Sequence, residues 1–383
     1  MEFIDFLGYG VSKISLGGIF VFLLLVTHIT IISVTIFLHR CQAHRSISLN
    51  KYVSHFFRFW LWITTGMVTK QWAAIHRKHH AKCETSEDPH SPQVEGLAVV
   101  LWRGTELYRD AAKNTEICQK YGYGTPNDWL ENNIYSKFVW HGVALMLIID
   151  FILFGILGIA VWAIQMMWIP FLAAGVINGI GHYFGYRNFQ TPDQSRNIFP
   201  IGVLIGGEEL HNNHHSFATS PKLSIRWYEF DIGWFYIKIL EFCGLAKTRN
   251  VPRRALYNPS KNSIDEDTVA AILASKYELF QKLHSAAKKI GAIYRKNCKK
   301  NSFGNSVELN KSAMEMRLAN CLKEDFEKIW NERASSVDQV IEALNHWCVE
   351  AEKSGIKVLQ DYSRKLHMLT LREFSYGSQN KSI

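Results

Sequence analysis

Two stretches of the chain, residues 14–38 and 138–183, are almost free of charge, and this limits the folds open to it more than any other property. The first is 25 residues long with one histidine and no other ionisable side chain. As a helix it would reach about 37 Å, more than the ~30 Å hydrocarbon core of a bilayer. The second contains Asp150 as its one acid and is long enough for two spans, 138–158 and 160–183. A tight turn within 155–160 would join them, and Pro170 is tolerated inside the second because neighbouring helices can satisfy the freed backbone groups. The rest of the chain, above all from about residue 260 onward, is dense in Lys, Glu, Asp and Arg, so the mean hydropathy of -0.06 averages two unlike parts. The expected fold is all-α: integral membrane helices carrying a cytosolic helical cap, followed by a C-terminal soluble helical extension.

Residues 53–69 are ambiguous. The run is short, is interrupted by His55 and Arg58, and is crowded with Phe56, Phe57, Phe59, Trp60 and Trp62, a mixture that suits an interfacial or re-entrant helix. Lys and Arg are frequent in residues 70–135 and beyond 187, which the positive-inside tendency puts on the cytoplasmic side. The formal net charge of +9 is scattered among aromatic residues beside apolar runs, which favours a membrane surface over nucleic acid. Seven cysteines without a CxxC pair read as reduced thiols of a protein whose soluble parts face the cytosol. The first residues, with Glu2 and Asp5, do not read as a cleavable signal peptide.

Sixteen histidines are many for 383 residues, and most fall into clusters. His39 and His44 sit where the first span ends; His76, His79 and His80 follow the aromatic run; His211, His214 and His215 follow the hairpin. A fourth element, Asn178 with His182, closes the second arm of the hairpin. Residues three and four apart share one face of a helix, so each HxxHH can aim three imidazoles into a single cavity. The His39/His44 pair, five apart, suits a helix end whose last turn opens. Imidazole suits iron, zinc and copper, and eight or nine rings exceed what one ion accepts, so two metal ions are expected. To share a site the clusters must lie on one side of the membrane. The run 53–69 therefore does not cross, and three spans put the N-terminus outside.

These strings resemble the three histidine boxes of the integral-membrane fatty-acid desaturases. WAAIHRKHHAKCETSEDPHSP (72–92) and GGEELHNNHHSF (206–217) look like the Δ9 acyl-CoA or acyl-lipid desaturases of proteobacteria, and the likeness covers about residues 14–250. The resemblance implies a nine-histidine ligand set of His39, His44, His76, His79, His80, His182, His211, His214 and His215 around two iron ions. It also implies Asn178 as the holder of a metal-bound water, and Trp72 as an aromatic lining the bend of an acyl tunnel. The implied reaction uses O2 as co-substrate and takes hydrogens from neighbouring methylenes of a saturated acyl chain, carried as acyl-CoA or phospholipid, to leave a cis double bond, by the family resemblance at Δ9. The carboxylates Glu84, Asp88, Glu208 and Glu209 are placed to orient ring N–H groups, Asp88 and Glu209 foremost.

The animal enzymes of this family have four spans against three expected here. The chain also lacks the HPGG-type haem signature of a fused cytochrome b5, so a separate electron donor is expected: a ferredoxin, a cytochrome b5-like protein or a flavoprotein reductase. Expected membership is a multi-pass bacterial inner membrane protein with its metal site facing the cytosol. A histidine-box hydroxylase of alkyl chains and a non-catalytic metal sensor are the competing readings. The desaturase domain is expected over 1–259 and a cytosolic helical extension over 260–374, its first helix opened by a capping box at Ser263/Glu266; 375–383 read as a disordered tail.

Overall fold

The computed structural model of the protein describes residues 3–249, 255–300, 306–331 and 336–371. The chain forms two compact units, one from Met1–Arg187 and Thr191–Val251, the other from Asn188–Gln190 and Pro252–Ile383. The residues expected to form the disordered tail, 375–383, lie outside the described ones.

In the first unit a short helix α1 (Phe3–Tyr9) precedes α2 (Leu16–Ser33), which Ser15 caps by accepting from Gly18 N at 3.2 Å. From Val34 the helix continues to Ala43 with π winding. The hydroxyls of Thr27, Thr30 and Ser33 donate back to the carbonyls of Leu23, Val26 and Ile29, competition that loosens the backbone ladder just before the winding widens. The combined helix Leu16–Ala43 has 28 residues and is long and apolar enough to cross a membrane.

The hairpin differs from expectation at its first arm. α7 (Val139–Phe154) has only 16 residues, about 24 Å, because Gly155 at φ 64° leaves the right-handed region and ends it. The second arm, α8 (Ile156–Ile169), runs on through the π-wound Pro170–Ile180, giving a second membrane-length helix of 25 residues. Pro170 has no N–H for α-type pairing, and the change of winding begins at that residue. Among the described residues there are thus two apolar helices of membrane length and one shorter apolar helix, where three spans were expected. α1 packs on this hairpin: the chain that follows it donates from Val11 N to Ile152 O at 2.9 Å.

The aromatic run forms α3 (Lys51–Thr64), about 21 Å long and short of a bilayer core. Its Arg58 is buried because Asp128 and Glu131 neutralise it at 2.6 and 2.9 Å. Helices α4 (Thr69–Lys82), α5 (Leu97–Lys113), α6 (Thr115–Tyr121), α9 (His211–Ser216) and α10 (Ile232–Phe242) also belong to this unit, with a π-wound turn at Glu131–Tyr135 and two short strand pairs, Ile47–Leu49 with Ala246–Thr248 and Ile201–Gly202 with Phe230–Asp231.

The second unit contains α11 (Glu266–Lys300), α12 (Ser306–Asn331), α13 (Val337–Lys353) and α14 (Lys357–His367) around a core that includes Leu283, Phe326, Leu344, Trp347 and Leu359. The capping box lies two residues beyond the expected one. Asp265 Oδ1 accepts from Thr268 N at 2.8 Å, and Thr268 Oγ1 accepts from Asp265 N at 3.3 Å.

Candidate metal centre

Four segments of the first unit deliver the clustered histidines. The π winding explains the first pair. His44 N donates to His39 O at 3.0 Å, so residues five apart stand one above the other, with ring centroids 4.6 Å apart. A wound turn, and not a frayed one, is what joins them. α4 presents His76, His79 and His80 at helical spacing, the π-wound end of α8 leads directly into His182, and the short buried α9 carries His211, His214 and His215.

The donor atoms fall into two groups. Those of His39, His44, His76 and His214 lie within 4.8 Å of one another, and so do those of His79, Cys83, His182 and His215. His80 belongs with His214 and His215, between the two groups, and His211 Nε2 is 3.0 Å from His182 Nε2. All nine histidines come together.

Carboxylates fix the orientation of four rings. His39 Nδ1 is 2.9 Å from Glu208, His79 Nδ1 3.0 Å from Asp88, His182 Nδ1 3.3 Å from Glu84, and His215 Nδ1 3.0 Å from Asp193. A carboxylate at Nδ1 keeps the ring proton there and turns the bare Nε2 lone pair inward. Burial, followed by neighbouring imidazoles, holds His44, His76, His80, His211 and His214 well below the usual histidine pKa, so these rings are neutral at pH 7. The inward nitrogens nonetheless crowd one another: His44 and His76 Nε2 are 2.8 Å apart, His80 and His214 2.9 Å, His39 and His214 3.1 Å. Each such contact is met either by a proton on one of the two nitrogens or by a cation between them, and a cation can serve several of these nitrogens at once. The donor set therefore fits metal cations, and its division into two groups is compatible with two.

Glu209 departs from expectation. Its carboxylate accepts from Ile205 N and Gly207 N at 2.8 and 3.1 Å and so holds its own loop together. Gly206 and Gly207, at φ 69° and 100°, turn the chain so that Glu208 faces His39. Asp193 was not expected at all. It lies 22 residues before His215, and no periodicity links them; the one local signal is the Thr191-to-Ser195 turn, where Asp193 Oδ1 accepts from Ser195 N at 3.0 Å and from Thr191 Oγ1 at 2.8 Å. His90 is also drawn in, its ring 4.5 Å from that of His79.

Arg40 ties this loop to the ligand-bearing helix. Its guanidinium donates to Pro221 O, Gly206 O and Asp231 Oδ1 at 2.9, 3.0 and 2.8 Å. Beside the centre lies a cavity of about 670 Å³. His39, His76, His211, Glu208 and the half-buried Asn178 line its polar part, and Val34, Met67, Val143, Trp162, Met166 and Ile169 its apolar walls. Trp72 lines it too, stacked on His76 with centroids 5.0 Å apart and planes 11° apart.

Comparison with known proteins agrees with this chemistry. Residues 17–236 match the family described as fatty acid desaturase. The chain is 34% identical over 231 residues to acyl-CoA 5-desaturase AL21 of Anemone leveillei, covering 57% of this chain and 67% of that protein. It is 31% identical over 227 residues to Delta-9 acyl-lipid desaturase 1 of Arabidopsis thaliana, covering 58% and 72%. It is 34% identical over 231 residues to the acyl-CoA C20 Delta5-desaturase of Anemone leveillei, covering 57% and 69%.

Proposed function

The chain belongs to the fatty acid desaturase family and is an O2-dependent acyl-chain desaturase, and we propose that it installs a cis double bond at C9 of a saturated acyl chain. The observation that carries this reading is that His39, His76 and His211 line one cavity of about 670 Å³ together with apolar walls, with Trp72 stacked on His76 there. The position of the bond is supported by the likeness to Delta-9 acyl-lipid desaturase 1, at 31% identity, beside which the relatives named for the fifth position stand at 34%.

In this reading His39, His44, His76, His80 and His214 would hold one iron, and His79, His182, His211 and His215 the other, and Asn178, which lines the cavity beside them, would hold a water on the metal. Two irons bound there supply, with O2 and electrons from outside, the oxidising power to remove hydrogens from adjacent methylenes, which no side chain has. The chain's own residues do the rest. Glu84, Asp88, Glu208 and Asp193 keep the Nδ1 protons in place, so the ligand nitrogens do not need to reorient. Val143, Met166 and Ile169 exclude water from the acyl chain, and Trp72 sets where its path passes His76.

The acyl chain arrives as a CoA thioester or within a phospholipid, and electrons come from a separate donor of ferredoxin, cytochrome b5-like or flavoprotein type. The histidine-box strings support a bacterial cytoplasmic membrane as the site, with the cytosol on the metal side. The test is expression in a host lacking unsaturated acyl chains, with iron, oxygen and a donor present, followed by double-bond location on total lipids. A new cis alkene at C9 is expected and is lost in His214→Ala together with iron. Products that gain oxygen instead of losing two hydrogens would assign a hydroxylase.

A further inference from the structure

The second unit carries a charge pattern that the chemistry above does not use. Between Glu278 and Glu308 the chain has seven Lys and Arg and no Asp or Glu. Most of this stretch is the second half of α11, and burial divides that half by face. Leu279, Leu283, Ala286, Ala287 and Ile290 are buried. At about 100° per residue, Lys288, Lys289, Arg295 and Lys296 fall within an arc of about 120° on the other side, and all four are exposed. Ile293, 57% exposed, stands at the edge of this arc. Among the described residues none of the four cations has a carboxylate at ion-pair distance, whereas Lys282, earlier on the helix, is 3.2 Å from Glu278. A helix face of one sign repels itself, and nothing within the described residues relieves it.

We propose that this basic face of α11, from Lys288 to Lys296, docks on anionic lipid headgroups of the membrane that holds the first unit. The proposal rests on the membrane residence of the first unit and not on the reaction assigned to it. Charge complementarity names an anionic partner, and the rest of the chain selects which one. The same polypeptide contains two helices long and apolar enough to cross a bilayer, so a lipid surface is held close to the second unit by the chain itself, at a high effective concentration that a free nucleic acid or acidic protein lacks. An exposed isoleucine beside lysines is also the composition of a helix that lies at a lipid interface: the ammonium and guanidinium groups meet headgroup phosphates while the apolar side chain reaches the acyl boundary. The contact is electrostatic in origin, so it follows the lipid charge and weakens with salt.

The test reconstitutes the full-length chain, with the exposed Cys243, Cys298 and Cys321 replaced by Ser, into nanodiscs of phosphatidylcholine alone or with a third of it exchanged for phosphatidylglycerol. A nitroxide at Ile293→Cys reports collisions with a water-soluble nickel chelate, and a control sample carries the nitroxide on Cys321 of α12 instead. With phosphatidylglycerol the collision rate at position 293 should fall about twofold or more while that at Cys321 stays the same. Salt at about 0.5 M, or the triple substitution Lys288→Glu/Lys289→Glu/Lys296→Glu, should restore it. A rate at position 293 that is equal in the two kinds of disc, that falls only when double-stranded DNA or polyglutamate is added, or that stays low in the triple variant overturns the proposal. Chains that enter neither kind of disc would overturn the membrane residence itself, so the two failures are separable.

Discussion

Arg40 and Asp231, both buried, meet at 2.8 Å and join the helix that carries His39 to the segment after the third histidine cluster. Asp231 is itself committed: Oδ1 also accepts from Trp234 N and Oδ2 from Leu223 N. Removing one partner leaves an uncompensated buried charge, which costs about 3–5 kcal/mol. Asp231→Ala should therefore unfold at markedly lower denaturant than the wild type, and an Arg40→Met/Asp231→Leu double variant should lose less than Asp231→Ala alone. Calorimetry or denaturant titration in detergent measures this; a double variant worse than the single would contradict the buried-charge account.

Glu208 and Glu209 are adjacent but serve different partners, and paired substitutions separate them. Glu208→Gln and Asp193→Asn remove charge from behind His39 and His215 and should weaken metal affinity by about 10–100-fold. Glu209→Gln, which disturbs backbone N–H groups of its own loop, should change metal affinity far less. Competition with a chromophoric chelator reads all three, and equal losses would refute the division of roles.

Acidification provides a third check. Burial keeps His44, His76, His80, His211 and His214 neutral well below pH 6.5, whereas the unfolded chain protonates these rings as pH falls through that value. Below 6.5 the unfolded state binds more protons, so stability of the metal-free protein is fully present above 6.5 and declines beneath it, by up to about 1.4 kcal/mol per ring for each pH unit. The melting temperature at pH 5 should fall below that at pH 7.5, and His211→Gln should flatten the slope. A melting temperature that rises on acidification would show that these rings are charged in the folded state.

Trp72 bounds the cavity and stacks on His76, a contact of the kind worth about 0.5–1.5 kcal/mol. Trp72→Ala should lower turnover and broaden the range of acyl chains accepted, while Trp72→Phe keeps most of both. Product profiles by gas chromatography decide; an unaltered profile in Trp72→Ala would remove this residue from the substrate path.

The histidines of α4 and α9 were legible because helical periodicity alone puts i, i+3 and i+4 on one face, and such local rules need no tertiary knowledge. His39 and His44 were half legible: their membership was evident but their geometry was not, since π winding depends on hydroxyl competition and packing that no spacing rule encodes. Asp193 was invisible because its partner lies 22 residues away across a turn. Glu208 and Glu209 were ranked in the wrong order, since two glycines with positive φ decide which neighbour faces inward. The length of α7 was misjudged for a similar reason: hydropathy runs through Gly155, but the backbone does not.

The winding of Val34–Ala43 sets a constraint on inheritance. Each π turn accommodates one residue more than an α turn, so deleting Phe37 would let the backbone relax into the commoner helix, in which His39 and His44, five apart, would stand about 140° apart around the axis. Local stability would reward that deletion and the shared centre would be lost with it. The residue count of this stretch is thus tied to metal binding more tightly than the identity of its apolar side chains.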